Sequence, residues 1–254
     1  MSLLRHNAAM VLPLRDTALF LDVDGTLLEI QDQPDAVISN PQLTDLLTAL
    51  AQRLGGALAL VSGRPIDEID RIFAPEVFCA AGGHGVQLRL PDGSLETHPT
   101  RMPASAVKLL QDGLMGHAGT FLERKSHGLA LHYRANPQAA DAVRQLADGA
   151  LEDLNRRGEQ FELLSGKMVF ELVPHDVNKG GAINRLMQHP VFAGRAPVFV
   201  GDDVTDEYGF SAVNSLGGQS LKVGPGDTPT AARELLEDVA AVHRWLSGLL
   251  EQAA

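Results

Sequence analysis

Short, mostly apolar runs separated by amphipathic stretches constrain this chain most. The runs are Ala18–Leu21, Ala57–Val61, Val77–Ala80, Val198–Val200 and Ser220–Val223. Each is too short for a helix and apolar on both faces, the pattern of strands buried inside a parallel sheet. Helical stripes lie between them. Pro41 at a first helical position opens one that carries Leu43, Leu46, Leu47, Leu50 and Leu54. A second starts at Asn178 and runs through Ile183, Leu186 and Met187, and a third is expected over Thr230–Leu250. This alternation predicts an α/β fold, a doubly wound parallel-sheet core.

The middle of the chain has a different rhythm. Residues 91–103 are rich in Pro, Gly and Thr and read as a linker. A helix is expected over Ala104–His117, then alternating strands at Phe121–Lys125 and Leu129–Arg134. A second helix, with Asn136 as N-cap and Pro137 at its first position, ends at Gly158. Strands follow at Gln160–Leu164 and Lys167–Val173. The expected organisation is a core of residues 1–99 and 173–254 with an inserted α+β domain, residues 100–172, built on an antiparallel sheet.

The net charge of −11 on 254 residues opposes binding to nucleic acid or to an anionic membrane. No apolar stretch reaches the ~18 residues of a membrane span. Arg15 and Asp16 interrupt the apolar run near the start, so no signal peptide is expected. The single cysteine, Cys79, excludes a disulfide within the chain and suits a reducing compartment. A cytoplasmic monomer is the default expectation.

Polar groups cluster where the expected strands end. Asp22 and Asp24 follow the first, Ser62 and Arg64 the second, and Asp202 and Asp203 a later one. Ligands of open α/β sheets bind at these carboxyl ends. Any one Asp there also reads as a turn former, Ser62 as a helix cap, and Lys179, at the start of a helix, as a surface lysine. Convergence favours chemistry. Two carboxylates ~5 Å apart repel by ~3 kcal/mol at an effective dielectric near ~20. Asp22, Asp24 and Asp202 together therefore call for a cation, and an all-oxygen donor set suits Mg²⁺. Residues at i and i+2 of an extended chain share a face, so one aspartate can attack phosphorus while its neighbour handles the proton of the leaving oxygen.

The run Asp22-Val-Asp24-Gly-Thr26, then Ser62, Lys179 and Gly201-Asp202-Asp203-Val-Thr-Asp206, resembles in order the four motifs of the haloacid-dehalogenase (HAD-like, Rossmannoid) superfamily. An insert between the second and third motifs resembles its type-2 cap. The resemblance implies that Asp22 forms an aspartyl-phosphate, that Asp24 serves as acid and then base, and that Ser62 and Lys179 hold the phosphoryl group. It implies Mg²⁺ ligation by Asp22, Asp202 and the Asp24 carbonyl, with Asp203 and Asp206 orienting the metal's waters or Lys179.

In the insert, Glu123 and Lys125 share one face, as do His132 and Arg134, and Lys167 and Glu171, each opposite apolar neighbours. Such a face can bind sugar hydroxyls, or it can be a solvated sheet face with cross-strand ion pairs. These runs, with Gly82-Gly83-His84-Gly85 and the stretch Glu171–Pro174, resemble the trehalose-6-phosphate phosphatase family from about Ala18 to Phe210. That likeness implies a small sugar phosphate as substrate and matches Glu123, Lys125 and Glu171 to sugar-binding positions. It matches Arg64, His84 and Gly85 to core positions near the substrate. Arg124 and Ser126-His127 give this hairpin a more basic flank than the family pattern. Other readings are a different sugar phosphatase, such as one for sucrose phosphate, and a non-catalytic phosphosugar-binding module. A transport ATPase is disfavoured by Asp24, where those pumps carry Thr.

Overall fold

The computed structural model describes residues 4–5, 13–30, 39–98, 102–125, 128–166 and 168–252. It divides into two compact units, Met1–Thr97 with Asn178–Ala254, and His98–Val177. In chain order the elements begin β1 (Leu4–Arg5), β2 (Thr17–Leu21), α1 (Pro41–Arg53), β3 (Leu58–Val61), α2 (Ile66–Phe73), β4 (Cys79–Gly82), β5 (Gln87–Arg89) and β6 (Leu95–Thr97). The smaller unit adds α3 (Ala104–Leu114), β7 (Phe121–Arg124), β8 (Leu129–His132), α4 (Ala140–Arg156), β9 (Phe161–Gly166) and β10 (Val169–Pro174). The chain then continues with α5 (Lys179–Leu186), β11 (Ala196–Gly201), α6 (Glu207–Ser215), β12 (Gln219–Val223), β13 (Glu234–Leu236) and α7 (Val239–Gln252).

The larger unit is a sheet of nine strands among the described residues, ordered β1-β13-β12-β11-β2-β3-β4-β5-β6. From β1 to β4 all pairings are parallel, and β5 and β6 close the edge antiparallel. The chain leaves β2 through α1 toward β3 on one side and leaves β11 through α6 toward β12 on the other. Right-handed crossovers in opposite directions put those helices on opposite faces of the sheet. α7 packs on α1, and α5 packs on α6. The central strands are therefore covered twice, and Ala18–Leu21 and Leu60–Val61 have no solvent exposure. Phe20 stacks on Phe192, and Phe199 lies tilted on Phe210, each at 5.4 Å between ring centres. The point where the winding reverses lies between β2 and β11, and an open sheet has its binding crevice at the strand ends there.

The smaller unit is an antiparallel sheet, β7-β8-β10-β9. Its core joins Val107, Leu110 and Leu114 of α3, Val143, Ala147 and Ala150 of α4, and Leu129, Leu131, Phe170 and Leu172 of the sheet. The alternation of β8 and β10 thus buries one face against the helices, as the period-2 pattern requires.

Several sequence expectations shift. The unit boundary falls at Val177, beyond the expected 172, because β10 pairs along its whole length with β9. The third core strand starts at Cys79, and Val77 is largely exposed. The helix expected from Thr230 starts at Val239, because Glu234–Leu236 pairs with both β12 and β1. Asn136 stands at the N-cap of a 3-10 turn, Pro137–Ala139, that leads into α4, but its side chain makes no capping hydrogen bond, and its amide donates to the Ala118 carbonyl. Lys167, Ser126 and His127 lie outside the described residues. No helix among the described residues is long and apolar enough to cross a membrane.

Candidate active site

The strand ends at the reversal point carry the expected groups. The Asp22 N–H donates to the Val200 carbonyl, which extends the β2–β11 pairing by one residue and brings Asp22 beside Asp202. Gly25 then turns the chain at φ +81°, and a Cβ there would land on the Asp202 carboxylate. Only glycine allows that approach. Gly201 is tight for the same reason, since its Cβ would meet the Asp206 carboxylate.

Lys179 is the hub. It begins α5, whose N-cap Asn178 accepts from the Gly181 N–H at 2.9 Å. Its ammonium, buried, donates to Asp22 Oδ1 and to Asp206 Oδ1, each at 2.7 Å. The surface-lysine reading therefore fails: the dipole penalty of a cation in a first turn is offset by two carboxylates. Burial lowers the ammonium's proton affinity, but Asp22 and Asp206 outweigh it and leave it raised. Asp206 Oδ2 accepts from the N–H groups of Asp202 and Asp203, both at 3.0 Å. Asp206 thus binds Lys179 and orients the loop that carries Asp202. Asp203 accepts from the Thr205 N–H in a capping box with Asp206.

Carboxylate oxygens of Asp22, Asp202 and Asp206 lie within 4.8 Å of one another. Burial pushes the carboxyls of Asp22 and Asp202 up to about 6 and that of Asp206 to about 7, partly relieved at Asp22 and Asp206 by Lys179. Fully ionised, the three carboxylates against one ammonium carry two negative charges, and Asp202 Oδ1 is buried with no hydrogen-bond partner. The donor set is oxygen only. These features fit a hard divalent cation.

Ser62 and Arg64 follow β3. Ser62 is buried, and its Oγ accepts from the Arg64 N–H at 3.1 Å, so it shapes this turn and does not cap α2, whose N-cap is Pro65. Its O–H remains the hydroxyl's donor. The Ser62 carbonyl accepts from the His84 N–H at 3.0 Å. His84 sits at φ 56°, ψ 29°, a left-handed conformation that costs a non-glycine residue about 1–2 kcal/mol. That backbone sets its ring against Gly63, where a Cβ would lie 2.7 Å from it.

A cleft of about 470 Å³ is lined by Asp22, Asp24, Ser62, Arg64, His84, Lys179, Asp202 and Asp203, among others. Gly85 is not in this lining; it is buried against Ala182 of α5 and the N-cap residue Asn178. One pairing of the site had no signal in spacing. Arg64 donates from Nε to Asp24 Oδ2 at 2.6 Å and from Nη2 to Asp24 Oδ1 at 2.8 Å, while Nη1 donates to Glu68 at 3.0 Å. Arg64 and Asp24 are 40 residues apart on neighbouring strand ends, beyond any periodicity.

The smaller unit gathers its own set. On the sheet face away from its core, Lys125 donates to Glu171, and His132 pairs with Glu123 at 2.7 Å. Phe121 stacks on His132 at 4.4 Å. Glu123, Lys125 and Glu171 therefore share one polar face, linked in part by a cross-strand ion pair, Lys125–Glu171, of the kind the alternative reading foresaw. His132 holds Glu123's carboxyl below its usual range.

The fold is shared with a phosphatase of the haloalkanoate (HAD) superfamily from Bacteroides thetaiotaomicron, with a TM-score of 0.63 at 14% identity over 97% of this chain and 99% of that one. The trehalose-phosphatase family model matches residues 20–239, and the chain belongs to that family. A protein named "Probable trehalose-phosphate phosphatase" from Sinorhizobium fredii is 40% identical over 97% of this chain and 91% of its own length. The Escherichia coli trehalose-6-phosphate phosphatase is 41% identical over 90% of this chain and 85% of its own. Among solved structures, Aspergillus fumigatus trehalose-6-phosphate phosphatase superposes with a TM-score of 0.85 at 28% identity, covering 98% of this chain and 99% of that one.

Proposed function

We propose that this chain hydrolyses trehalose 6-phosphate to trehalose and inorganic phosphate, with Asp22 as nucleophile and Asp24 as proton carrier. The observation that carries this is a buried Asp22 carboxylate held by Lys179 at the floor of the cleft, two residues before an Asp24 that lines the same cleft. Membership of the trehalose-phosphatase family supports the substrate.

In the first step an Asp22 oxygen bonds to phosphorus as the bond from phosphorus to the sugar oxygen breaks. That oxygen leaves with its electron pair and takes the Asp24 proton. In the second step water attacks phosphorus, Asp24 takes its proton, and Asp22 is released. Ser62 and Lys179 donate to the phosphoryl oxygens, which carry the charge of a reaction that is very slow without a catalyst. The side chains of Asp22 and Asp202 and the Asp24 carbonyl would hold Mg²⁺, which when bound neutralises phosphoryl charge. Asp203 and Asp206 orient this set. Glu123, Lys125 and Glu171 bind sugar hydroxyls, and Arg64 and His84 line the substrate side of the cleft. The chain works as a cytoplasmic monomer on a small soluble substrate.

The test is phosphate release from trehalose 6-phosphate, sucrose 6-phosphate and glucose 6-phosphate, with and without Mg²⁺. Trehalose 6-phosphate is expected to be fastest, with release abolished by chelation. Equal or faster release from sucrose 6-phosphate would overturn the substrate, and no release from any would overturn the catalytic reading.

A further inference from the structure

Arg64 has a different role from the substrate contact its position suggests. Its guanidinium is committed to two carboxylates: a bidentate fork on Asp24, and a third donor on Glu68 one helical turn further along the chain. The Arg64 side chain is only 10% exposed. Its backbone is pinned as well, with the N–H on Ser62 Oγ and the carbonyl accepting from the Gly83 N–H at 2.9 Å. A planar fork on a planar carboxylate fixes orientation as well as distance, which a lysine cannot do. Each Asp24 oxygen keeps a second lone pair for the proton it must carry.

We infer that Arg64, braced by Glu68, is a positioning residue that fixes the plane of the Asp24 carboxyl for proton transfer to the leaving oxygen. This rests on the proposed role of Asp24. A fixed proton donor matters most when the leaving oxygen is a poor one, such as a sugar alkoxide. It matters little when a nitrophenolate departs, which needs no proton. A guanidinium that instead bound the phosphoryl group would serve both leaving groups equally.

The experiment compares kcat/KM, which reports the step in which the leaving group departs, for trehalose 6-phosphate and p-nitrophenyl phosphate. Wild type, Arg64→Ala, Arg64→Lys and Glu68→Ala are measured. For Arg64→Ala the expected loss is about 100-fold on the sugar phosphate, carried by kcat, and under about 10-fold on the aryl phosphate. Added guanidinium should restore only the former, Arg64→Lys should recover little, and Glu68→Ala should show the same inequality in smaller measure. Equal losses on both substrates, or a loss confined to KM, would overturn the inference. If Arg64→Ala does not fold, Glu68→Ala decides on the same criterion, and equal losses or no loss there would overturn it. If wild type releases no phosphate from trehalose 6-phosphate, the substrate reading falls. The comparison then runs on whichever sugar phosphate is turned over, and unequal losses still support the clamp.

Discussion

Lys179 Nζ lies 2.7 Å from Asp206 Oδ1, and both side chains are buried, that of Asp206 with no exposure at all. Removing Asp206 leaves Lys179 paired with Asp22 and takes away one buried hydrogen bond between charged groups, at a cost of about 1.5–3 kcal/mol. Asp206→Ala also strips the N–H groups of Asp202 and Asp203 of their acceptor. Urea unfolding is expected to show that loss. Asp206→Asn, which can keep an acceptor oxygen, should lose less, and a loss below about 1 kcal/mol for the alanine variant would contradict the hub.

The carboxylate cluster predicts a cation-dependent stability. A ligand at 100 times its dissociation constant stabilises the native state by about 2.7 kcal/mol. For a chain of this size that raises the melting temperature by roughly 5–10 °C. Thermal melts with Mg²⁺ against chelator should show this rise in wild type and none in Asp202→Ala. A rise of the same size in the variant would place the ion elsewhere.

Lys125 and Glu171 are partly exposed, at 34% and 27% of their side-chain surface, so their ion pair contributes under about 1 kcal/mol to stability. Lys125→Ala should therefore leave the urea midpoint almost unchanged. Lost hydrogen bonds from a charged group to sugar hydroxyls should raise KM for trehalose 6-phosphate about 10- to 100-fold. Turnover of p-nitrophenyl phosphate, which lacks the sugar, should not change. A matching loss on both substrates would remove Lys125 from sugar recognition.

Burial pushes the Cys79 thiol up to about 12, and its S–H donates to the Arg89 carbonyl. Because the thiolate is the nucleophile, a raised value suppresses labelling. Between pH 8 and 10 the native protein's rate with a thiol reagent should still rise about tenfold per pH unit, whereas an ordinary thiol, near ~8.5, would level off. In urea the rate should jump. A plateau near pH 9 in the native protein would show that Cys79 is not held in this environment.

Much of this was legible in the sequence because it is local. Apolar runs bounded by turns marked the central strands, and the spacing of Asp22 and Asp24 set both at one strand end. The pattern Leu129, Leu131 and Tyr133 marked the buried face of the smaller sheet. What was not legible is short or long-range. Glu234–Leu236 is a strand of only three residues, stabilised by neighbours on both sides rather than by its own pattern. The Arg64 fork on Asp24 joins two strand ends across the sheet, and the Arg89–Asp70 pair at 2.6 Å likewise spans separate elements. Asn136 and Ser62 both have the composition of a cap, but each found another partner once the chain had packed.

The most direct test of the account is to mix enzyme with trehalose 6-phosphate labelled in its phosphate, quench in acid within a turnover, and map the labelled peptide. The label is expected on Asp22 in wild type and is expected to be absent, with turnover abolished, in a folded Asp22→Asn variant. Label on another residue, or retained turnover in Asp22→Asn, would contradict Asp22 as the nucleophile.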